Sequence, residues 1–571
     1  MTYLKHPSGR PACLVTACLV TARLVTAALL LAAPVAHAAI GDFNGDGIGD
    51  VAIGVPNEAI VSSGSNRLGA GAVSVIYGSS ANGLVGAQVG TPSSQLWHQD
   101  IVDIADAVEA NDLFGEGIAV GDFNGDGFDD LAVAVRGDNA IQIINGSPTG
   151  LVGAGSRLIR CQDIDDGDPS ALSTIRVGGT RVAGGSIAMN VGDFDHNGVD
   201  DLVFEGNAFV NGGRVSDVVV LFGHFGVGPA SGISAFDSTL LRFTNNTNGS
   251  LAGEVKVALA VGDVDVDGDD DLAVGLPFAD ISIASGQVVS EAGTVAVVLA
   301  VPSQNASFPG RTVLDLAGRR TLTQATGNPE PFESGDKFGS ALAMADFNGD
   351  GRADLAVGAA FDDRGLNSFI DEGAVSVFSG AQTFQSFWTQ NVLNQPRESG
   401  DNFGLALAAA DFNGDGRADL AIGQPGDHVD QSSGDEAGAV SVVYGGATGL
   451  GLTNGPGNQY FVEGTVGGLS RVGERFGAAL SAGNIGRSAH ADLVVGAPGE
   501  NVTTAVRLAT PDCSQIFCIS VKFETHVGAG QLNTIYGSAS GLTSLGAQSF
   551  TQSSTSIPDS PEAGDAFGGT Q

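Results

Sequence analysis

Apolar residues along this chain come in short runs fenced by glycine, aspartate, asparagine or proline. Leu355-Ala356-Val357-Gly358 and Leu420-Ala421-Ile422-Gly423 are typical, as are Ala374-Val375-Ser376-Val377 and Ala439-Val440-Ser441-Val442. Short runs rich in valine and isoleucine, bounded by turn formers, predict buried strands and no long helices. The runs keep a fixed order. Phe-Gly comes first, as at Phe338-Gly339 and Phe403-Gly404. Eight residues after the phenylalanine comes an acidic loop, Asp-x-Asn/Asp-x-Asp/Asn-Gly-x-x-Asp or a close variant. An apolar run follows, and then Gly-Ala-Val-Ser-Val or a relative.

The acidic loop starts at Asp42, Asp122, Asp193, Asp263, Asp346 and Asp411, with a decayed seventh copy at Asn484. The intervals are 80, 71, 70, 83, 65 and 73 residues. Each holds about four β-rich runs, the content of one propeller blade. In the sixth copy these are Gly404 to Ala410, Leu420 to Gly423, Ala439 to Tyr444 and Gln459 to Glu463. A parallel β-helix has much shorter rungs. The expected fold is therefore an all-β, seven-bladed propeller. The first loop has no Phe-Gly before it, and Phe567-Gly568 has no loop after it. Joining Gln571 to Ala39 restores the eight-residue spacing, so the two ends are expected to meet in one blade.

Composition changes the picture in three ways. The 571 residues would ordinarily suggest several domains, but one recurring unit overrides that expectation. The 86 glycines follow no collagen triplet and mark turns. Residues 1–38 carry Lys5, Arg10 and Arg23 but no acid. Their apolar run, Leu24 to Ala33, leads to Ala36-His37-Ala38. This reads as a secretory signal peptide cut after Ala38, leaving 39–571 as a single propeller. Arg23 breaks the run and makes it too short for a membrane anchor. Without the leader, 22 basic residues face 64 acidic ones, a net of −42. Nucleic acid and anionic membranes are thereby poor partners. Disorder would explain such acidity in a polar chain, but 43% of residues are apolar, so bound cations explain it better. Cys513 and Cys518 can pair in an oxidising compartment, leaving Cys161 alone.

The loops supply the candidate chemistry. Calcium takes roughly six to eight oxygens. Loop positions one, three, five and nine offer side-chain oxygens, position seven a backbone carbonyl, and glycine at six permits the bend. The candidate ligands are Asp42, Asn44, Asp46, Ile48 and Asp50; Asp122, Asn124, Asp126, Phe128 and Asp130; and Asp193, Asp195, Asn197, Val199 and Asp201. The later loops add Asp263, Asp265, Asp267, Asp269 and Asp271; Asp346, Asn348, Asp350, Arg352 and Asp354; and Asp411, Asn413, Asp415, Arg417 and Asp419. An EF-hand or dockerin needs an acid at position twelve, where Ile53 and Val357 stand instead. The seventh loop offers Asn484, Gly486, Ser488 and Asp492, too few carboxylates for a good site. Six calcium ions would bring the mature charge to about −30.

Phe-Gly, an acidic loop and Gly-Ala-Pro, in that order, resemble the FG-GAP repeats of integrin alpha subunits. The last copy has the nominal signature, Phe476-Gly477 with Gly496-Ala497-Pro498. The resemblance runs through 39–571, with Gly185 and Val255 standing where phenylalanine is expected. It implies ligand binding on the face opposite the calcium loops. That face carries the long second-to-third-strand connections: Asn57 to Gly69, Ala279 to Ala292, Phe361 to Glu372, Gln424 to Ala437 and Gly499 to Gly528. One such connection holds Arg136-Gly137-Asp138, a tripeptide that integrins recognise and that a Gly- and Asp-rich chain also yields by chance. No histidine among His98, His196, His224, His428, His490 and His526 has a zinc-like partner spacing, and no nucleophile elbow or phosphate loop is present. The reading is a secreted, non-enzymatic calcium-binding module for cell adhesion or for binding an extracellular protein or glycan. The alternative is a propeller enzyme acting on extracellular polysaccharide.

Overall fold

The computed structural model describes residues 38–571 apart from 85–93, 165–175, 178–186, 211–212, 225–237, 244–255, 284–285, 303–311, 328–332, 364–369, 429–435, 469, 509–519, 555–556, 558–560, 562–564, 566 and 568–571. Residues 1–37 of the expected leader, Gly185, Val255, Cys513 and Cys518 lie outside the described residues, whereas Ala38, the last residue of that leader, stands in the first strand.

Seven antiparallel sheets follow one another along the chain, each with its strands in sequence order. The third gains a short extra strand, Arg176–Val177, beside its second strand. The first strands of the seven blades are Ala38–Gly41, Phe114–Gly121, Met189–Gly192, Ala258–Gly262, Ala341–Ala345, Ala406–Ala410 and Ala479–Gly483. Each touches the first strand of the next blade, and Ala479–Gly483 touches Ala38–Gly41, so the ring is closed. The protein is a seven-bladed β-propeller. In the sixth blade the strands are Ala406–Ala410, Asp419–Gln424, Ala439–Val443 and Gln459–Val462, within two residues of the sequence expectation at every end.

The apolar core sits between blades, not within them. One cluster of buried residues fills each of the seven junctions. Most contain the same pair: the residue at loop position two of one blade and the Phe-Gly phenylalanine leading into the next. Phe43 meets Phe114, Val264 meets Phe338, Phe347 meets Phe403, and Phe412 meets Phe476. A blade is apolar on both faces and reaches stability only by stacking on two neighbours. The Phe-Gly phenylalanines that pack into five of the junctions are the sequence trace of that stacking.

Two glycines per repeat are demanded by the same close approach. A Cβ on Gly54 would lie 2.1 Å from the Gly115 carbonyl, and one on Gly423 would lie 2.1 Å from that of Gly477. Gly71, with a φ of +83°, packs against the Phe114 backbone in the same way. Thus the glycine after Leu-Ala-Val and the glycine before Ala-Val-Ser each leave room for the Phe-Gly backbone of the next blade.

The ends meet, but not as a shared blade. All four strands of blade one, Ala38–Gly41, Asp50–Val55, Ala72–Ile76 and Ser94–Trp97, come from the N-terminal part of the chain. The C-terminal segment contributes no described strand. Phe567 is instead fully buried in the junction of blades seven and one, among Val51, Ile53, Val494 and Phe550. Its N–H donates to the Ala529 carbonyl at 2.9 Å, as Phe476 N–H does to Ala437 at 2.9 Å. The Phe-Gly spacing therefore registered a side-chain seal at this junction.

Among the described residues no helix is long and apolar enough to cross a membrane.

Candidate functional site

Each acidic loop is a hairpin turn between the first and second strands, closed in one register throughout. The last residue of the first strand pairs with loop position nine: Gly41 with Asp50, Gly121 with Asp130, Gly192 with Asp201, and so to Gly483 with Asp492. Position one caps the turn. Asp42 Oδ1 accepts from Asp46 N–H at 3.0 Å, and its Oδ2 accepts from Gly47 N–H at 2.7 Å. Asp122, Asp346 and Asp411 repeat both bonds. Position six, glycine in all six full loops, lies in the left-handed region, as at Gly47 with φ +81° and Gly268 with φ +96°.

Position nine is fixed from two sides. Asp419 Oδ2 accepts from Phe412 N–H at 2.9 Å, and Oδ1 accepts from Gly445 N–H at 2.9 Å. The second bond ties this loop to the connection after the third strand of the same blade. Asp50, Asp201 and Asp271 repeat the pair, and so does Asp492 in the decayed loop. These carboxyls are fully buried. Burial pushes Asp50, Asp130 and Asp201 up to about 8, against the lowering effect of the N–H donors, with the acids at neighbouring loop positions adding to the rise. A cation beside such a group would favour its charged form and oppose this rise.

Position three separates the loops. In three of the four loops where it is asparagine, its amide donates to position nine, as Asn124 does to Asp130 at 2.9 Å and Asn348 to Asp354 at 3.1 Å, whereas Asn413 Nδ2 is buried with no partner. In the third and fourth loops it is Asp195 and Asp265, which have no proton to give. There, one oxygen each from Asp193, Asp195 and Asp201, and likewise from Asp263, Asp265 and Asp271, lie within 4.8 Å of one another. Asp265 Oδ1 is buried with no donor. Three carboxylates so close, with a buried oxygen of Asp265 left without a donor, fit a hard cation of calcium's radius. The other position-seven and position-five candidates keep to the turn: Ile48 N–H donates to Asp46, Phe128 N–H to Asp126, Val199 N–H to Asn197, Asp269 N–H to Asp267, and Arg417 N–H to Asp415. Arg352 also extends its guanidinium to the Val264 carbonyl of the preceding loop at 3.2 Å.

Sequence reasoning missed how the loops join. The N–H at position eight of every loop donates to the position-one carbonyl of the loop before it. The pairs are Asp129 to Asp42, Asp200 to Asp122, Asp270 to Asp193, Ala353 to Asp263, Ala418 to Asp346, Ala491 to Asp411 and Gly49 to Asn484, all at 2.7–3.2 Å. In three loops position eight also returns a side-chain bond: Asp129, Asp200 and Asp270 accept from the N–H of Asp42, Asp122 and Asp193. His196 Nδ1 contacts the Gly268 carbonyl of the next loop. The candidate sites are thus links in one closed circle on one face of the ring.

Four segments, residues 35–76, 114–155, 338–378 and 403–443, match the FG-GAP repeat family. The chain carries FG-GAP repeats. The phosphatidylinositol-glycan-specific phospholipase D of Bos taurus is 34% identical over 193 residues, which cover 34% of this chain and 20% of that protein. Integrin alpha-PS2 of Drosophila melanogaster is 29% identical over 245 residues, 42% of this chain and 15% of its own length. This FG-GAP chain spans a fifth or less of the length of these relatives. Among solved structures, an Agrocybe aegerita lectin that recognises non-reducing terminal N-acetylglucosamine aligns over 76% of this chain and 81% of its own, with 15% identity and a TM-score of 0.38. One relative is by name an enzyme and the other an integrin chain, so the FG-GAP module alone does not decide between catalysis and binding.

The opposite face of the FG-GAP ring carries the long second-to-third-strand connections, and three are built as hairpins: Ile60–Ser62 with Ser65–Arg67, Ile281–Ser282 with Val288–Val289, and Val502–Leu508 with Ser520–His526. Arg136-Gly137-Asp138 lies in a tight turn on this face. Both of its charged ends are engaged within the fold. Arg136 Nη1 pairs with Glu116 Oε1 at 2.8 Å, and Asp138 Oδ2 accepts from Gln99 Nε2 at 2.6 Å. The tripeptide closes the junction of blades one and two.

Proposed function

We propose that this chain is a secreted FG-GAP propeller whose acidic loops hold about six calcium ions and whose opposite face binds an extracellular partner. One observation carries the binding reading. Large apolar side chains stand exposed on the second-to-third-strand connections of several blades: Val61 (71% exposed), Leu68 (64%), Val288 (50%) and Val527 (65%). Connections of variable length on a rigid ring are where binding resides, and exposed apolar tips favour a protein partner over a glycan.

Calcium in this reading is structural. It neutralises the carboxylates crowded at positions one, three, five and nine and holds the loop circle, which sets the relative angle of the blades and hence the spacing of the binding tips. The ligand set in each full loop is the five residues named from the sequence, with the position-nine carboxylate also anchored by the fold. The test is capture of cell-surface protein and glycan fractions with the purified chain. Retention lost on replacing Val61 and Val288 with aspartate, at unchanged melting temperature, supports the reading. Retention that survives both changes and is lost on altering exposed residues of the loop face contradicts it. Turnover of a polysaccharide or lipid substrate would sink the non-enzymatic reading.

A further inference from the structure

A second repeated motif lies on the face away from the acidic loops. Two residues before each Phe-Gly phenylalanine stands a buried acid: Asp112, Asp336, Asp401, Glu474 and Asp565. It belongs to a three-part set at the junction of two blades. The second member is an acid in the second-to-third-strand connection of the following blade, buried at Asp362, Asp427 and Glu58 and half-buried at Asp138. The third comes just after the last strand of the preceding blade. In four junctions this third member is glutamine, and its amide donates to the second member. Gln99 gives to Asp138 at 2.6 Å, Gln324 to Asp362 at 2.8 Å, Gln390 to Asp427 at 3.2 Å, and Gln552 to Glu58 at 3.0 Å. The stretches before the third and fourth blades lie outside the described residues.

The junction of blades six and seven breaks the rule. Glu463 replaces the glutamine, facing Glu474 and Glu500. All three are more than nine-tenths buried, at 1%, 1% and 8% exposure. Each carboxylate has one oxygen satisfied. Gln531 Nε2 donates to Glu463 Oε1 at 2.5 Å, Arg471 N–H to Glu474 Oε2 at 2.6 Å, and Arg471 Nη1 to Glu500 Oε1 at 2.8 Å. The other oxygens, Glu463 Oε2, Glu474 Oε1 and Glu500 Oε2, are buried with no donor at bonding distance. Arg471 Nε is 4.0 Å from Glu474 Oε1, too far to donate. One oxygen from each glutamate lies within 4.8 Å of the other two.

We propose that Glu463, Glu474 and Glu500 form a divalent-cation site of the calcium class that clamps blade six to blade seven. The cation takes the place of the amide proton that glutamine supplies at the sister junctions. Three oxygens mutually within 4.8 Å fit one coordination sphere with metal–oxygen distances of about 2.3–2.6 Å. The donor set is all oxygen, which favours a hard cation over zinc or copper. Three carboxylates beside one arginine leave two negative charges, which a divalent ion balances. A buried carboxylate cluster without such an ion is costly. This site is on the other side of the ring from the acidic loops and stands or falls independently of them.

The test compares the full chain with Glu463→Gln, which restores the majority pattern. Both are stripped with chelator and titrated with calcium chloride alone, reading ion stoichiometry and melting temperature. The expected result is one ion fewer in Glu463→Gln, and a melting temperature in chelator at least as high as that of the parent. As a control, Asp415→Asn in the sixth loop is expected to lose a different ion, so that the double variant loses two. Equal stoichiometry in the parent and Glu463→Gln would overturn the proposal and leave carboxyls that share protons. Should Glu463→Gln fail to fold, parent crystals soaked in manganese chloride decide the matter. An anomalous peak between the three carboxylates supports the site, and its absence overturns it.

Discussion

The Gly49 N–H donates to the Asn484 carbonyl across 2.7 Å, and this bond joins the first acidic loop to the last. The bond is the seventh of its kind. The six others lie between neighbours in sequence, whereas this one spans the ends of the ring. A Cβ on Gly49 would stand 2.8 Å from that carbonyl and 2.7 Å from Ile40 Cγ2. Gly49→Val should therefore open the circle at its closing link and lower the melting temperature. Gly47→Ala meets no neighbour and strains only a φ of +81°, costing about 1 kcal/mol. Equal melting temperatures for the two variants would show that the closing bond contributes nothing.

Phe567 gives a second measure of closure. It is fully buried between blades seven and one, and truncating such a side chain costs roughly 3–5 kcal/mol. Phe567→Ala should lower the denaturation midpoint as much as Phe403→Ala does at an internal junction. A variant that melts like the parent would mean the C-terminal phenylalanine does not seal the ring.

The position-nine aspartates separate scaffold from metal. Asp492 in the decayed loop makes the same two backbone bonds as Asp419 but has no acids at the other loop positions. Asp492→Asn should destabilise by about 1–3 kcal/mol with no change in bound calcium. Asp419→Asn should destabilise and also lose one ion. Calorimetric titration of the two variants checks this, and loss of an ion from both would show that the seventh loop is also a metal site.

Much of this was legible in the sequence. The strands of the sixth blade, the turn glycines and the hairpin loops all follow from local pattern, because each is set by backbone geometry within one repeat. The loop circle was not legible. Its donors are backbone N–H groups, so position eight is free to be Asp129, Ala353 or Gly49 and leaves no residue signature. The buried acids before Phe-Gly did leave a fixed spacing, which the stronger signal of the acidic loops masked. Whether Arg136-Gly137-Asp138 is an adhesive tripeptide or a chance occurrence stayed open in the sequence, because composition cannot show that Glu116 and Gln99 hold its two ends.

That tripeptide gives a further prediction. Asp138→Ala removes the acceptor of Gln99 at a buried junction and should lower stability by about 1–3 kcal/mol. Attachment of integrin-bearing cells to the immobilised protein should be unchanged. Attachment abolished in the variant, with its melting temperature intact, would restore the adhesive reading of the motif.

Asp336 predicts a pH dependence. It is buried, and burial pushes its carboxyl up to about 8, with Asp362, Glu333 and Asp363 adding to the rise against the Glu333 N–H. The unfolded chain gives up this proton near its ordinary value of about 4. Between these limits the folded state holds the extra proton, so the stabilising contribution is full below about pH 4 and declines as pH rises towards 8. Asp336→Asn cannot ionise and should show a shallower fall in melting temperature between pH 5 and pH 8. Identical slopes in the two proteins would show that Asp336 is ionised in the fold.

The acidic loops, read as calcium sites, hold the ring only when the ion is bound. Metal analysis of the chelator-stripped chain after dialysis into saturating calcium, paired with its melting temperature with and without the ion, tests it most directly. The expected result is about six loop-bound ions per chain, one more at the Glu463 junction, and a higher melting temperature in calcium than in chelator. Two or fewer ions, or a melting temperature indifferent to calcium, would contradict it.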